Sequence, residues 1–225
     1  MSGIAGKIRA VTFDVGHTLI EPLEPVGAVY AGFAERHHGT KLSPAELNSR
    51  FLTALHQAGT AVNTRADWAA IVDATFADLI PQPPSQTFFP ELFKRFGEAA
   101  AWRMYEDVLP TLDDLKHRGL RLGVISNWDV RLRSLLDALE LTRYFEVILI
   151  SGEVGFAKPQ REIFSFAATQ FSLAPNEILH VGDNWGADVE GAQSAGFSAA
   201  HLDRAIALSE SVKINSLRKL RDQIF

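Results

Sequence analysis

The chain has 225 residues, enough for one sizeable domain or a core with a modest insertion. Its hydrophobic and charged fractions, 47% and 22%, are ordinary for a globular protein, and a net charge of −5 argues against a general nucleic-acid surface. It contains no cysteine, which excludes disulfides, thiolate catalysis and Cys-based zinc sites and fits a cytoplasmic location.

The N-terminal stretch meets Asp14 before any long apolar run develops, so it reads as neither a signal peptide nor a membrane span. Ile8 to Val15 is short, apolar and β-prone, the pattern of a buried strand. The next stretch, from about 21 to 106, lacks strand runs and carries helical patterns at Val26–His37, from the Ser43-Pro44 capping pair to about Gln57, at Asp67–Leu79 and near 90–104. The segment PQPPSQ (81–86) breaks that series. Beyond it, strands and helices alternate. A helix over Pro110–Arg118, ended by Gly119, leads into a strand at Leu120–Ser126. Helical patterns at 130–140, 160–171 and 188–195 separate strands at Val147–Ile150, Ile178–Gly182 and Ser198–Leu202. The tail 215–225 reads as an amphipathic helix capped by Asn215 or Ser216. Strands alternating with helices imply right-handed βαβ units and a parallel sheet. The expected architecture is therefore α/β, a Rossmann-like core over 1–20 and 106–225 with an all-helical insertion at 21–105, and hinges near 20–24 and 105–110.

Four polar clusters follow, or can be placed beside, the ends of apolar runs: VTFDVGHTL (11–19), VISN (124–127), KP (158–159) and HVGDNWGAD (180–188). In an open parallel sheet the carboxyl ends of the strands share one rim, where ligands bind. Asp14, Ser126, Lys158, Asp183 and Asp188 can therefore meet there. Carboxylates, one ammonium and one hydroxyl at a rim suit a divalent cation and a phosphoryl group. Asp188 also stands where it would cap the helix 188–195. Trp128 and Trp185 adjoin these clusters and are expected to pack. The pair His37-His38 cannot share a helix face and is expected at a solvated helix end.

In these four motifs and their order the chain resembles the haloacid dehalogenase superfamily of phosphohydrolases, across nearly its whole length, with the helical insertion in the place of a C1-type (subfamily I) cap. The resemblance implies that Asp14 is the nucleophile and that Mg2+ is held by Asp14, the Gly16 carbonyl and Asp183, with Asp188 binding through water or orienting the others. It implies that Lys158 neutralises the crowded negative charge, and that Ser126 and the Asn127 backbone N–H hold the phosphate. Thr18 joins that substrate-binding set as a residue that holds loop geometry. The expected partner is a small phosphorylated metabolite, with neither nucleic acid nor membrane; substrate and oligomeric state are not written in the motifs.

The chain departs from the pattern at Gly16, which stands where the phosphatases carry a second Asp that protonates the leaving oxygen and then activates water. Such help is worth typically about 10²–10⁴-fold. Three explanations are open. His17, whose ordinary pKa suits proton transfer, substitutes for the missing acid. Alternatively the chain is a 2-haloacid dehalogenase-type or phosphonatase-type hydrolase, although the retained GDxxxxD acids fit the first poorly and the insertion offers only Lys41 and Lys94 for the Schiff base of the second. Or it is a non-catalytic relative that binds phosphate or a partner.

Overall fold

The computed structural model describes residues 8–59, 62–204 and 213–224. The stretch before Ile8, on which the signal-peptide expectation bore, lies outside them, as does Phe225 of the expected closing helix. Contacts divide the chain into two compact units. One comprises the residues up to Glu21, Met104–Asn127 and Glu140 onward; the other comprises Pro22–Arg103 and Trp128–Leu139.

The first unit is a six-stranded parallel sheet in the order β5-β4-β1-β6-β7-β8. Its strands are β1 (Ala10–Phe13), β4 (Arg121–Ser126), β5 (Val147–Ile150), β6 (Ile178–Gly182), β7 (Ser198–Leu202) and β8 (Lys213–Ile214). β1 is fully buried along its length, as a central strand with both faces covered requires. Its register places Phe13 level with Val124 of β4 and Val181 of β6. Asp14, Ser126 and Asp183 therefore emerge at one edge of three adjacent strands. The helices α5 (Val108–His117), α7 (Ser151–Val154), α8 (Arg161–Phe171), α9 (Gly191–Ser194) and α10 (Leu220–Ile224) accompany this sheet. The amphipathic α8 buries Ile163, Phe164, Ala167 and Phe171 in a core shared with Ile125, Leu149 and Phe197. Each such large side chain contributes about 1.5–3 kcal/mol.

The second unit contains α1 (Val26–His38), α2 (Pro44–Ala58), α3 (Arg65–Thr75), α4 (Phe89–Arg95) and α6 (Arg131–Ala138). Ser43 caps α2 by accepting from the Glu46 N–H (3.4 Å). Thr64 and Asp67 form a capping box at α3. The core is aromatic: Tyr30 packs against Phe51, Phe76 and Phe96. At Gly27 a Cβ would come within 2.0 Å of the Pro44 carbonyl, so only glycine permits the approach of α1 to the start of α2.

Several expectations need correction. α6 groups with the helical unit rather than the sheet, because Arg131 donates to the Phe93 carbonyl and lies 3.3 Å over the Phe93 ring. The pattern at 90–104 ends as helix at Arg95. Trp102–Met104 is instead a strand, β3, paired with β2 (Ile20–Pro22) in a two-stranded ribbon where the chain leaves and re-enters the sheet unit. α3 stops at Thr75, short of Leu79, and Asp78 adopts a left-handed conformation (φ 64°) just beyond. His37 does stand exposed in the last turn of α1, as expected; there its Nε2 lies 3.1 Å from Glu91, which also accepts from Arg36, and the ring stacks on Phe33.

Candidate active site

Asp14 sits directly after β1, its N–H donating to the Val181 carbonyl of β6 (2.9 Å). Two donors converge on its Oδ1: Ser126 Oγ from the end of β4 (2.9 Å) and Lys158 Nζ (2.7 Å). Among the described residues no hydrogen bond reaches Oδ2. One carboxylate oxygen is thus anchored and the other is left without a donor among the described residues. Lys158 is 2% exposed, and its ammonium also donates to Asp188 Oδ1 (2.6 Å). Burial opposes its charge, but Asp14 and Asp188 outweigh burial and hold its pKa above the ordinary value.

The lysine is placed from behind by Asn127. That side chain accepts from the Lys158 N–H (2.7 Å) and donates to the Lys158 carbonyl (2.8 Å), a reciprocal pair. Only the backbone of Asn127 is expected from the motif to act; its amide side chain fixes the Lys158 peptide as well. Asp188 is held on both oxygens. Oδ1 accepts from Lys158 and from His180 Nε2 (3.2 Å), and Oδ2 from the Asn184 N–H (2.9 Å). Burial resists its ionisation, yet Lys158 and His180 keep it well below the usual carboxylate range. Asp188 is not the helix cap expected for it. Asn184 is, accepting from the Ala187 N–H (2.9 Å) and opening the π-helical turn Trp185–Glu190 that carries Asp188. At Gly182 a Cβ would lie 2.2 Å from the Asp188 carboxylate, so the residue before Asp183 must be glycine.

His180 and Thr12 were not singled out from the sequence. His180 is fully buried within β6, and burial lowers its pKa. A neutral ring with its proton on Nε2 donates to Asp188 and accepts from Thr12 Oγ1 at Nδ1 (2.9 Å), satisfying both nitrogens. A polar residue at an inward position of an otherwise apolar strand was the available signal.

Asp14, Asp183 and Asp188 each offer one oxygen, all within 4.8 Å of one another. Three carboxylates face one ammonium, an excess of negative charge that suits a hard divalent cation. Asp183 registers this excess: burial first, then the charges of Asp14 and Asp188, push its pKa up to about 7. A carboxyl that titrates higher folded than unfolded costs stability as pH rises between the two values, here from about 4 through about 7. Cation binding removes that cost. MgCl2 is therefore expected to raise the melting temperature more at pH 8 than at pH 5 in paired thermal scans, and equal shifts would contradict this electrostatic account.

The remaining expected residues lie in the loop after Asp14. Gly16 is half-buried and bridges to Ile20. His17 adopts a left-handed conformation (φ 54°) and is exposed; its N–H donates to the Ile20 carbonyl (2.7 Å), and its ring makes no hydrogen bond to the described residues. Thr18 follows two residues after Gly16 in this loop. It is buried, its hydroxyl has no partner among the described residues, and its backbone shapes the loop. Trp185 is 45% exposed rather than packed, with its ring edge against His201 and Nε1 donating to Glu190 (3.0 Å). Trp128 does pack, against Trp102.

A family model described as haloacid dehalogenase-like hydrolase matches residues 8–196. The chain is 33% identical over 202 residues to haloacid dehalogenase-like hydrolase domain-containing protein 3 of Homo sapiens, covering 84% of this chain and 80% of that protein. It is 34% identical over 132 residues to phosphoserine phosphatase of Thermus thermophilus, covering 56% of this chain and 53% of that one. Among solved structures, a HAD phosphatase from Thermococcus onnurineus superposes with a TM-score of 0.68 at 25% identity, covering 96% of this chain and 97% of that chain. No helix among the described residues is long and apolar enough to cross a membrane.

Proposed function

The chain belongs to the haloacid dehalogenase-like hydrolase family, and we propose that within it the protein is a Mg2+-dependent phosphatase of a small phosphorylated metabolite, working through an aspartyl-phosphate. The observation that carries this reading is the convergence of three carboxylates and one buried ammonium on a single rim. A halide-releasing site needs no cation and has no use for such an excess of acids. The similarity to a phosphoserine phosphatase and to a HAD phosphatase points the same way.

Asp14 Oδ2 attacks phosphorus, and the bond to the leaving oxygen breaks with its electron pair going to the departing alkoxide. Lys158 and the Ser126 hydroxyl stabilise the phosphoryl oxygens and keep the attacking carboxylate oriented. Mg2+, held by Asp14, Asp183 and the Gly16 carbonyl with Asp188 orienting Lys158, would neutralise charge on the transferring group. Water then attacks the acyl phosphate, returning the carboxylate and releasing inorganic phosphate and a proton.

The alkoxide must take its proton from solvent or from His17, because Gly16 has no side chain. Leaving groups that depart without a proton, such as aryl oxides or carboxylates, are therefore favoured. The test is phosphate release from a panel of alkyl, aryl and acyl phosphates with MgCl2 or with chelator. Release that requires Mg2+ is expected, whereas chloride release from a 2-haloacid in chelator would replace this reading with dehalogenation. On the same panel, Gly16→Asp is expected to raise alkyl ester hydrolysis more than aryl ester hydrolysis. An unchanged alkyl rate would show that proton transfer is not what the loop lacks.

A further inference from the structure

The loop that follows Asp14 is held by a residue from the other end of the chain. Arg204 donates through Nη2 to the Thr18 carbonyl (2.7 Å) and makes two hydrogen bonds to Asp107 (3.0 and 3.1 Å). Its guanidinium carbon lies 3.7 Å from the centre of the Tyr105 ring. The same Asp107 carboxylate accepts from Ser216 Oγ (2.7 Å) and from the Leu217 N–H (2.9 Å). Burial opposes the charge on Asp107, but Arg204, Ser216 and the Leu217 N–H together hold its pKa below the ordinary range. Tyr105 reaches the same loop: its N–H donates to the Leu19 carbonyl (3.2 Å), and its hydroxyl donates to Glu21 (3.0 Å).

The gripped loop is stiff. The Val15 carbonyl accepts from the N–H groups of Thr18, Leu19 and Ile20, and the Ile20 carbonyl accepts from the His17 N–H. Its peptides cannot turn one at a time, so holding the Thr18 carbonyl sets the pitch of the whole turn, including the Gly16 carbonyl. Filling space here would call for an apolar side chain. A planar guanidinium bridging a buried carboxylate and a carbonyl fixes a direction as well as a distance.

We propose that Arg204 is a positioning residue for the metal and phosphoryl centre: it holds the Thr18 carbonyl at a fixed setting from Asp107 and so aims the loop after Asp14, which makes Ser216 and Leu217 part of the scaffold of the site. This rests on the phosphatase reading above. Partners that orient metal ligands from outside typically change affinity or activity by about 10–100-fold.

The experiment is Mg2+ titration by calorimetry, alongside steady-state kinetics, on the unaltered chain, Arg204→Met, Arg204→Lys and a control weakened only in the core, Phe171→Leu. Arg204→Met is expected to weaken Mg2+ binding and lower kcat by about tenfold each, with KM within about twofold. Arg204→Lys should recover part of both, and Phe171→Leu should keep both while losing melting temperature. Arg204→Met that binds Mg2+ as tightly as the unaltered chain, at unchanged kcat, overturns the proposal. An unaltered chain that binds no Mg2+ overturns the metal reading itself and this inference with it. If Arg204→Met does not fold, Ser216→Ala must weaken Mg2+ binding in the same direction, and no change there also overturns the proposal.

Discussion

Asp14→Asn is expected to lower phosphate release by at least about 10³-fold while the protein stays folded. An amide oxygen cannot form the acyl phosphate, so the two-step route is lost altogether. The substitution is nearly isosteric, and Asn can still accept from Ser126 and Lys158 through its carbonyl oxygen. Lys158 keeps its second partner, Asp188. Removing one of three crowded carboxylates also relieves Asp183, whose pKa should fall from about 7 toward the ordinary carboxylate value. The check is phosphate release with MgCl2, set beside circular dichroism and an NMR or infrared titration of the Asp183 carboxyl. A folded variant that keeps a substantial share of the activity would show that Asp14 is not the nucleophile.

Lys158→Met should damage both stability and rate. The ammonium lies between Asp14 and Asp188 at 2.7 and 2.6 Å and is almost fully buried. Methionine preserves the length of the side chain but leaves those carboxylates with no counter-charge. Breaking a buried pair in this way typically costs about 3–5 kcal/mol, which lowers the melting temperature by on the order of 10 °C in a protein of this size. Losing a donor aimed at the developing charge should lower kcat by about 10²–10³-fold. The two effects part company when Mg2+ is added. With its positive neighbour gone, the acid cluster should draw the cation more strongly, so MgCl2 should recover more melting temperature in Lys158→Met than in the unaltered chain. Activity should not return with it. Equal recovery in both proteins would mean that Lys158 and the cation do not share the same field.

The parts of this molecule that were legible in the sequence are those whose signal is local. β1, β4, β5, β6 and β7 are short, mostly apolar runs, each followed directly by a polar residue, and the acids after β1 and β6 mark the rim. Ser43-Pro44 announces the start of α2 through capping chemistry alone. What escaped the sequence depends on distant partners. β2 and β3 are three residues each and exist only because they pair across the whole helical insertion. α6 has the spacing of any amphipathic helix, and its allegiance is set by Arg131 meeting Phe93. His180 looks like an interruption in an apolar strand until Asp188 and Thr12 arrive on either side of its ring. Arg204 carries no motif, and its meaning lies in the Thr18 carbonyl and in Asp107. Asp188 was found as a member of the site, but its neighbours Lys158, His180 and the Asn184 N–H decide that it orients the lysine.

Every side chain gathered around Asp14 belongs to the sheet unit, and the longer segment of the helical unit, Pro22–Arg103, leaves and rejoins that unit at the paired ribbon of β2 and β3. Descendants of such a gene can lengthen, trade or rebuild the intervening helices without shifting a single strand of the sheet. The three acids and the lysine between them would pass through such changes intact.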